Sequence, residues 1–379
     1  WSGRVGFRHA FAPNSVTIAS YSTARADGTL DIESAVNIDT DEDAQFLEVQ
    51  HLFRSARFGA IGGYGRFRGT TDETTIFGPL PPDRNVADVH HDNAYGYVTI
   101  VAPRAATVTV GLSAESLTDV FVETTQVNPK LGVSWKPAGR VTLRGAAFRA
   151  LKRTLIGSQT IEPTHVAGFN QFFDDISGTD AWRYGAGVDL TASPRDEGSG
   201  GSSLYVGAEV SRRDLQVPVG FLGQPGAVST LDHAESLARS YAYWTPHRSV
   251  AVKAEYFFER FIRDDEMDAD GLARSTAHRV PVELSVYHPS GVFVRPRITY
   301  AHQRGRFLNA QLQEIVEGDS SFWIFDLSAG YRFPKRWGML NAQLLNAFDA
   351  DVVFQESNPT NSLLSRRRAV FAGLTLPIW

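Results

Sequence analysis

Apolar and polar residues alternate with a period of two in many short stretches of this chain, the signature of strands with one apolar face. In 141–149, Val141, Leu143, Gly145 and Ala147 share one face, and Thr142, Arg144, Ala146 and Phe148 the other. Trp182, Tyr184, Ala186, Val188 and Leu190 oppose Arg183, Gly185, Gly187 and Asp189. Leu204, Val206, Ala208 and Val210 oppose Tyr205, Gly207, Glu209 and Ser211, while Val250, Val252, Ala254, Tyr256 and Phe258 oppose Lys253, Glu255 and Glu259. Val292, Val294, Pro296, Ile298 and Tyr300 alternate with Arg295, Arg297 and Thr299. Trp323, Phe325, Leu327, Ala329 and Tyr331 alternate with Asp326 and Ser328. Pro296 is out of place in such a run, because proline removes a ladder donor.

Tight turns punctuate these runs at 54–56, 103–104, 136–139, 245–248, 289–291 and 334–336, and longer polar links fall near 25–42, 70–89, 154–178, 214–229, 264–275, 307–319 and 350–365. Short turns on one side and long links on the other are the arrangement of an outer-membrane barrel, with the turns periplasmic and the links extracellular. The expected fold is all-β, an antiparallel transmembrane β-barrel of about 16 to 18 strands of the bacterial outer-membrane type. The strand count comes to about seventeen, odd where bacterial single-chain barrels are even. An upstream strand or a misread stretch at 5–24 would account for it.

Composition supports this reading where it first seems to oppose it. Glycine (33), phenylalanine (24), tyrosine (12) and tryptophan (7) suit strands and turns, yet charged residues make up 21% and mean hydropathy is negative. No run approaches the roughly 20 apolar residues of a membrane helix. A barrel escapes that test, since only every second residue meets lipid. The absence of cysteine excludes disulfides, thiolate metal sites and cysteine nucleophiles. The net charge of -5, with scattered basic residues, argues against nucleic acid as a partner. Trp1 is not an initiator and no signal peptide follows it, so the expectation is a single domain over 1–379 that forms the C-terminal part of a longer chain.

Aromatics near the turns, Trp135, Trp244, Tyr287, Phe333 and Trp337, fit an interfacial girdle, although core aromatics would read the same way. The chain ends in Leu376-Pro377-Ile378-Trp379, with Val370, Ala372, Leu374, Leu376 and Ile378 on one face and the terminal aromatic one position out of register.

Three stretches resemble the C-terminal barrel region of TonB-dependent outer-membrane receptors. They are Asn128-Pro129-Lys130-Leu131-Gly132 with the following Leu143-Arg144 strand, Thr160-Ile161-Glu162-Pro163-Thr164 leading to Trp182–Val188, and Leu345-Asn346-Ala347-Phe348-Asp349 near the end. The resemblance implies barrel architecture. No plug domain or energy-coupling box is seen, and the strands are fewer than the family's, so energised import does not carry over with it.

Candidate chemistry concentrates on the polar faces. Arg144, Arg183, Arg295 and Arg297, with Arg149, Lys152 and Arg153, either present guanidinium groups to anions or brace the wall by pairing with Glu209, Glu255, Glu283 and Asp326; Lys253 lies on the same face. The link after Arg153 holds Phe169-Asn170-Gln171-Phe172-Phe173-Asp174-Asp175, three phenylalanines among amides and acids. It is expected either to enter the lumen as a constriction or ligand site, or to pack as a surface loop.

Other motifs carry less. Residues 266–271 have the acidic spacing of half a calcium loop, but the twelfth position is Ala277. Asp39–Asp43 reads as a solvated acidic run. His90 and His91 are adjacent and would face opposite sides of a strand. No nucleophile elbow is present, and the glycine-rich 59–65 precedes no helix. No metal, cofactor or catalytic residue is expected, and the chain is read as a non-enzyme.

Three functions stay open: a channel or transporter for polar solutes, an export barrel joined to periplasmic helical repeats, and a structural or adhesion barrel with a blocked lumen. The expected partners are outer-membrane lipid, the barrel assembly machinery, and a periplasmic partner or a preceding domain.

Overall fold

The computed structural model describes residues 1–376 apart from 33–35, 79–80, 104, 120–121, 174, 194–201, 221–227, 264–271, 310–313, 353–363 and 365–366. Its strands are β1 (Ser2–Ala12), β2 (Ser15–Ile32), β3 (Val36–Arg54), β4 (Phe58–Phe77), β5 (Asp83–Ala102), β6 (Ala106–Thr118), β7 (Glu123–Ala138), β8 (Val141–Leu151), β9 (His165–Val166), β10 (Phe169–Asn170), β11 (Asp180–Ser193), β12 (Ser203–Gly220), β13 (Val228–His247), β14 (Val250–Arg263), β15 (Leu272–Tyr287), β16 (Val292–Asn309), β17 (Glu314–Arg332), β18 (Met339–Leu345) and β19 (Ala369–Thr375). Among the described residues, seventeen strands form one sheet and β9 pairs only with β10. The expected strand number is met, with residues 5–24 supplying β1 and part of β2. Among the described residues no helix is long and apolar enough to cross a membrane.

The chain divides into two compact units. The first comprises Trp1–Trp135, Arg144–Tyr184 and Leu215–Asp232. Here β1 to β7 form an antiparallel meander, each strand paired with the next. The two faces of this sheet differ sharply. Val98, Ile100, Val110, Leu112, Leu131, Val133 and Trp135 are exposed on one, whereas Glu48, Gln50, His91, Asn93, Tyr95, Tyr97, Glu115, Asn128 and Lys130 are buried on the other. Apolar residues outward and polar residues inward is the reverse of a soluble domain and is what lipid on the outside selects.

The second unit comprises Lys136–Leu143, Gly185–Asp214 and His233–Trp379, and β13 to β19 pair in order within it. Again Val282, Leu284, Val294, Ile298 and Trp323 are exposed, while Glu255, Arg279 and Thr299 are buried. Pro296 sits opposite Leu327 inside an otherwise continuous β16–β17 ladder. Its ring lies at a position where the lipid face asks only for apolar surface.

Most of the long polar links are in fact ladder. The β2–β3 register runs unbroken from Ser15↔Phe53 to Ile32↔Val36, and β4–β5 from Phe58↔Ile100 to Thr75↔Asp83, so 25–42 and 70–89 are strand ends with short connections. The spans 214–229, 264–275 and 307–319 likewise fall partly in β12, β13, β15, β16 and β17. The physical reason is that a hairpin standing clear of lipid meets water on both faces, so the period of two disappears while backbone pairing continues. Among the described residues, the link after β8 leaves the ladder for long.

Candidate functional site

The link from Lys152 to Thr179 folds onto the polar face of the first unit. Its hairpin is β9, Ala167, Gly168 and β10; Ala167 and Gly168 have φ of 47° and 88°, the left-handed pair that a two-residue turn requires. A side chain at Gly168 would meet the Arg144 guanidinium, and a Cβ at Gly132 of β7 would meet Val166 at 2.8 Å and Ala167 at 2.9 Å. The hairpin therefore rests on a strand position that only glycine leaves free. Phe169 and Val166 bury themselves against Phe148 of β8.

The polar groups of this link enter a buried network. Arg153 Nη2 donates to Glu162 Oε2 at 2.6 Å, and Glu162 also accepts from Asn93 Nδ2 at 3.0 Å and from the Tyr97 hydroxyl at 2.7 Å. Gln171 Nε2 donates to the Tyr97 oxygen at 3.0 Å, and Lys130 Nζ donates to Gln171 Oε1 at 2.6 Å. Glu48 accepts from the Thr160 hydroxyl and from Ile161 N at 3.2 Å. Below it, Glu115 accepts from Ser113 at 2.9 Å and Asn128 at 2.8 Å and lies 3.2 Å from His91 Nε2. Burial works against the Arg153 charge, but Glu162, Glu115 and Glu48 outweigh it and raise the guanidinium pKa further. A buried cation with that many carboxylates around it stays ionised and stays put.

The expected phenylalanine-rich core behaves accordingly. Phe169 lies under both Arg144 and Arg183, at 5.4 and 5.5 Å, Phe173 under Arg183 at 4.8 Å and Phe172 under Arg153 at 5.0 Å. Arg183 Nη1 donates to Asn170 O at 2.7 Å, and Asn170 Nδ2 donates to Phe172 O at 2.5 Å. Arg149 closes on Asp180 at 2.6 Å. Asp175 is described and Asp174 lies outside the described residues. The link packs on the polar face of the strands. Arg144, Arg149 and Arg183 serve it rather than standing as a free ring.

Sequence reasoning missed Glu48, Asn93, Tyr97 and Glu115. One signal was available, since His91, Asn93, Tyr95 and Tyr97 occupy alternate positions and so share a face of β5. His91 and Glu115 meet on that face, and His90 is exposed on the other.

In the second unit Arg239 and Lys253 pair with Glu255, the latter at 2.7 Å, and Arg279 pairs with Glu259 at 2.7 Å. Arg295 stacks on Phe293 at 4.7 Å. Asp326 accepts Asn346 N at 2.9 Å and so helps to hold a turn. That turn is the Leu345–Asp349 stretch: Asn346 is buried with φ of 45°, its Nδ2 donates to Ala350 O at 2.9 Å, and its Oδ1 accepts Ala350 N at 2.8 Å. Glu209, also on a polar face, has its own partner. Glu283 and Arg297 line a cavity described below. Trp135, Trp244, Tyr287 and Trp337 are exposed near the turns and Phe333 is half-buried against Tyr331. Residues 266–271 and 377–379 lie outside the described residues.

The sequence matches no family model and no curated protein. Solved structures do match. The ferripyoverdine receptor of the outer membrane of Pseudomonas aeruginosa is similar at a TM-score of 0.64 and 8% identity, covering 92% of this chain and 52% of that one. The ferric citrate transporter FecA is similar at 0.64 and 12% identity, covering 99% and 61%, and the copper transporter OprC at 0.59 and 13%, covering 99% and 65%. The chain thus spans between half and two thirds of the length of these relatives. Exposed apolar strand faces, buried polar faces, seventeen strands and these likenesses agree on one architecture: the chain has the fold of the antiparallel β-barrel region of TonB-dependent outer-membrane receptors of Gram-negative bacteria.

Proposed function

We propose that the chain is the transport barrel of an outer-membrane protein that moves a small polar solute or ligand, with the 152–179 link as its resident constriction. The observation that carries this is the buried Arg153–Glu162 pair, which ties the link to β3 and β5 through Glu48, Asn93 and Tyr97. A link needed only for contact with the outside has no reason to place ionised groups beneath itself. The neighbours' names attach them to ferripyoverdine, ferric citrate and copper, which supports a cargo that is small and polar. On this reading residues 1–379 act as one barrel domain of a longer protein, seated in outer-membrane lipid after insertion by the assembly machinery. A periplasmic partner or a preceding domain completes it, and no catalysis is involved.

The test is single-channel recording in planar bilayers with the intact chain and with a variant in which 160–176 is replaced by a short Gly-Ser linker. The expected result is little or no conductance for the intact chain and discrete open steps for the variant. Equal conductance of the two would remove the constriction. Silence from both, with insertion verified, would favour a structural barrel.

A further inference from the structure

A separate cavity of about 360 Å³ lies within the second unit, lined on β14, β15 and β16 by Lys253, Glu255, Phe257, Arg279, Pro281, Glu283, Arg297 and Thr299, with Leu364 from the link after β18. Its volume is at the lower end of the roughly 300–1,000 Å³ of small-ligand sites. The charges around it are not equivalent. Lys253 shares Glu255 with Arg239 and stands opposite Glu283 in the β14–β15 register, and Arg279 pairs with Glu259. Glu283 and Arg297 stand opposite each other in the β15–β16 register, yet neither forms an ion pair among the described residues. Among the described residues, Glu283 accepts the Ser285 hydroxyl at 3.2 Å and Arg297 Nε reaches Thr299 Oγ1 at 3.4 Å. Asp326, on the other side of Arg297 in the β16–β17 register, is engaged by Asn346 N.

One uncommitted cation and one uncommitted carboxylate therefore face a shared space. A simple anion would satisfy Arg297 and be repelled by Glu283; a simple cation would meet the reverse. We propose that this cavity binds a small zwitterion of amino-acid or dipeptide size, its carboxylate taken by Arg297 and its ammonium group by Glu283. Phe257, Pro281 and Leu364 supply an apolar wall for a side chain. Guanidinium and carboxylate groups both form strong charge-assisted bonds in such partly dry surroundings. The inference rests on the reading of the polar face as the wall of a transport path, and it names the class of solute.

Equilibrium binding to the full chain in detergent micelles tests it by calorimetry, with L-phenylalanine, phenylalanine amide and N-acetylphenylalanine as probes of nearly equal size. L-Phenylalanine is expected to bind about tenfold or more tightly than either singly charged analogue, a difference of about 1.4 kcal/mol. Arg297→Gln is expected to abolish that margin over the amide, and Glu283→Gln that over the acetyl compound. Heat-modifiable gel mobility verifies that each variant is folded, and the comparison of probes on the unaltered chain needs no variant. Equal binding of the acetyl compound, equal binding of the amide, no saturable binding of any probe, or undiminished L-phenylalanine binding by both variants would each overturn the proposal. A failure here with loop-dependent conductance intact would leave the constriction standing and reject only the zwitterion.

Discussion

The guanidinium of Arg153 meets the carboxylate of Glu162 at 2.6 Å with both side chains 1% exposed, so two ionised groups nine residues apart are sealed beneath the link that carries them. Removing one partner of such a pair leaves a buried charge alone, which costs about 3–5 kcal/mol, whereas replacing both by apolar groups costs far less. Glu162→Gln is therefore expected to free the link, seen as faster amide exchange over 152–179 and new protease cleavage there. The double change Arg153→Met with Glu162→Leu is expected to restore most of the protection. Equal protection in Glu162→Gln and the unaltered chain would count against the pair as the anchor.

Gly132 gives a test that alters no charge. Gly132→Val places methyl groups where Val166 and Ala167 now sit, and the β7 backbone accepts a β-branched residue readily. The hairpin is expected to lift while the strand stays paired, giving conductance steps like those of the 160–176 replacement with an unchanged unfolding transition.

The apolar face predicts a depth-dependent penalty. Leu131 is exposed beside Lys130, which is buried on the opposite face of the same strand. Leu131→Arg is expected to destabilise the folded protein in vesicles by about 2–4 kcal/mol in urea titration, while Leu131→Phe changes little. A tolerated arginine there would mean that this face does not meet lipid.

Asn346 holds the turn after β18 with its side chain and adopts a left-handed conformation that asparagine tolerates better than most residues. Asn346→Ala is expected to lower stability by about 1–3 kcal/mol through unsatisfied buried groups, read as a lower thermal transition of the unboiled gel band. Asn346→Asp, which keeps the acceptor for Ala350 N, is expected to lose less.

The alternation of side chains was enough to place Arg183, Glu255 and Arg297 on the polar faces and Val188, Val294 and Trp323 on the apolar ones, because lipid punishes a slip of one residue. It failed for the described residues of 25–42 and for 70–77 and 83–89, which belong to the β2, β3, β4 and β5 ladders: with water on both sides, no face is selected. It also could not assign partners. That Arg144 would lie over Phe169 and that Asn93 would reach Glu162 depends on how a long link returns to strands far away in sequence, and nothing in the local pattern records that distance. Gly132 illustrates the point, since its neighbours in the Asn128–Gly132 stretch suggest a strand while the reason for glycine lies at Val166.

The ladders of β4 and β5 are 20 residues each, and a tilted strand crosses a bilayer with roughly 9–11. About half of each hairpin therefore stands in water as hydrogen-bonded wall, braced by pairs such as Arg84 with Asp72 at 2.5 Å and Arg66 with Asp92 at 2.6 Å. If the long hairpins face outward as the turn lengths predict, antibodies approaching the cell would meet a wall in which neighbouring side chains come from different strands. Epitopes on this region are therefore expected to be conformational, with linear peptides copied from 70–89 reproducing them poorly.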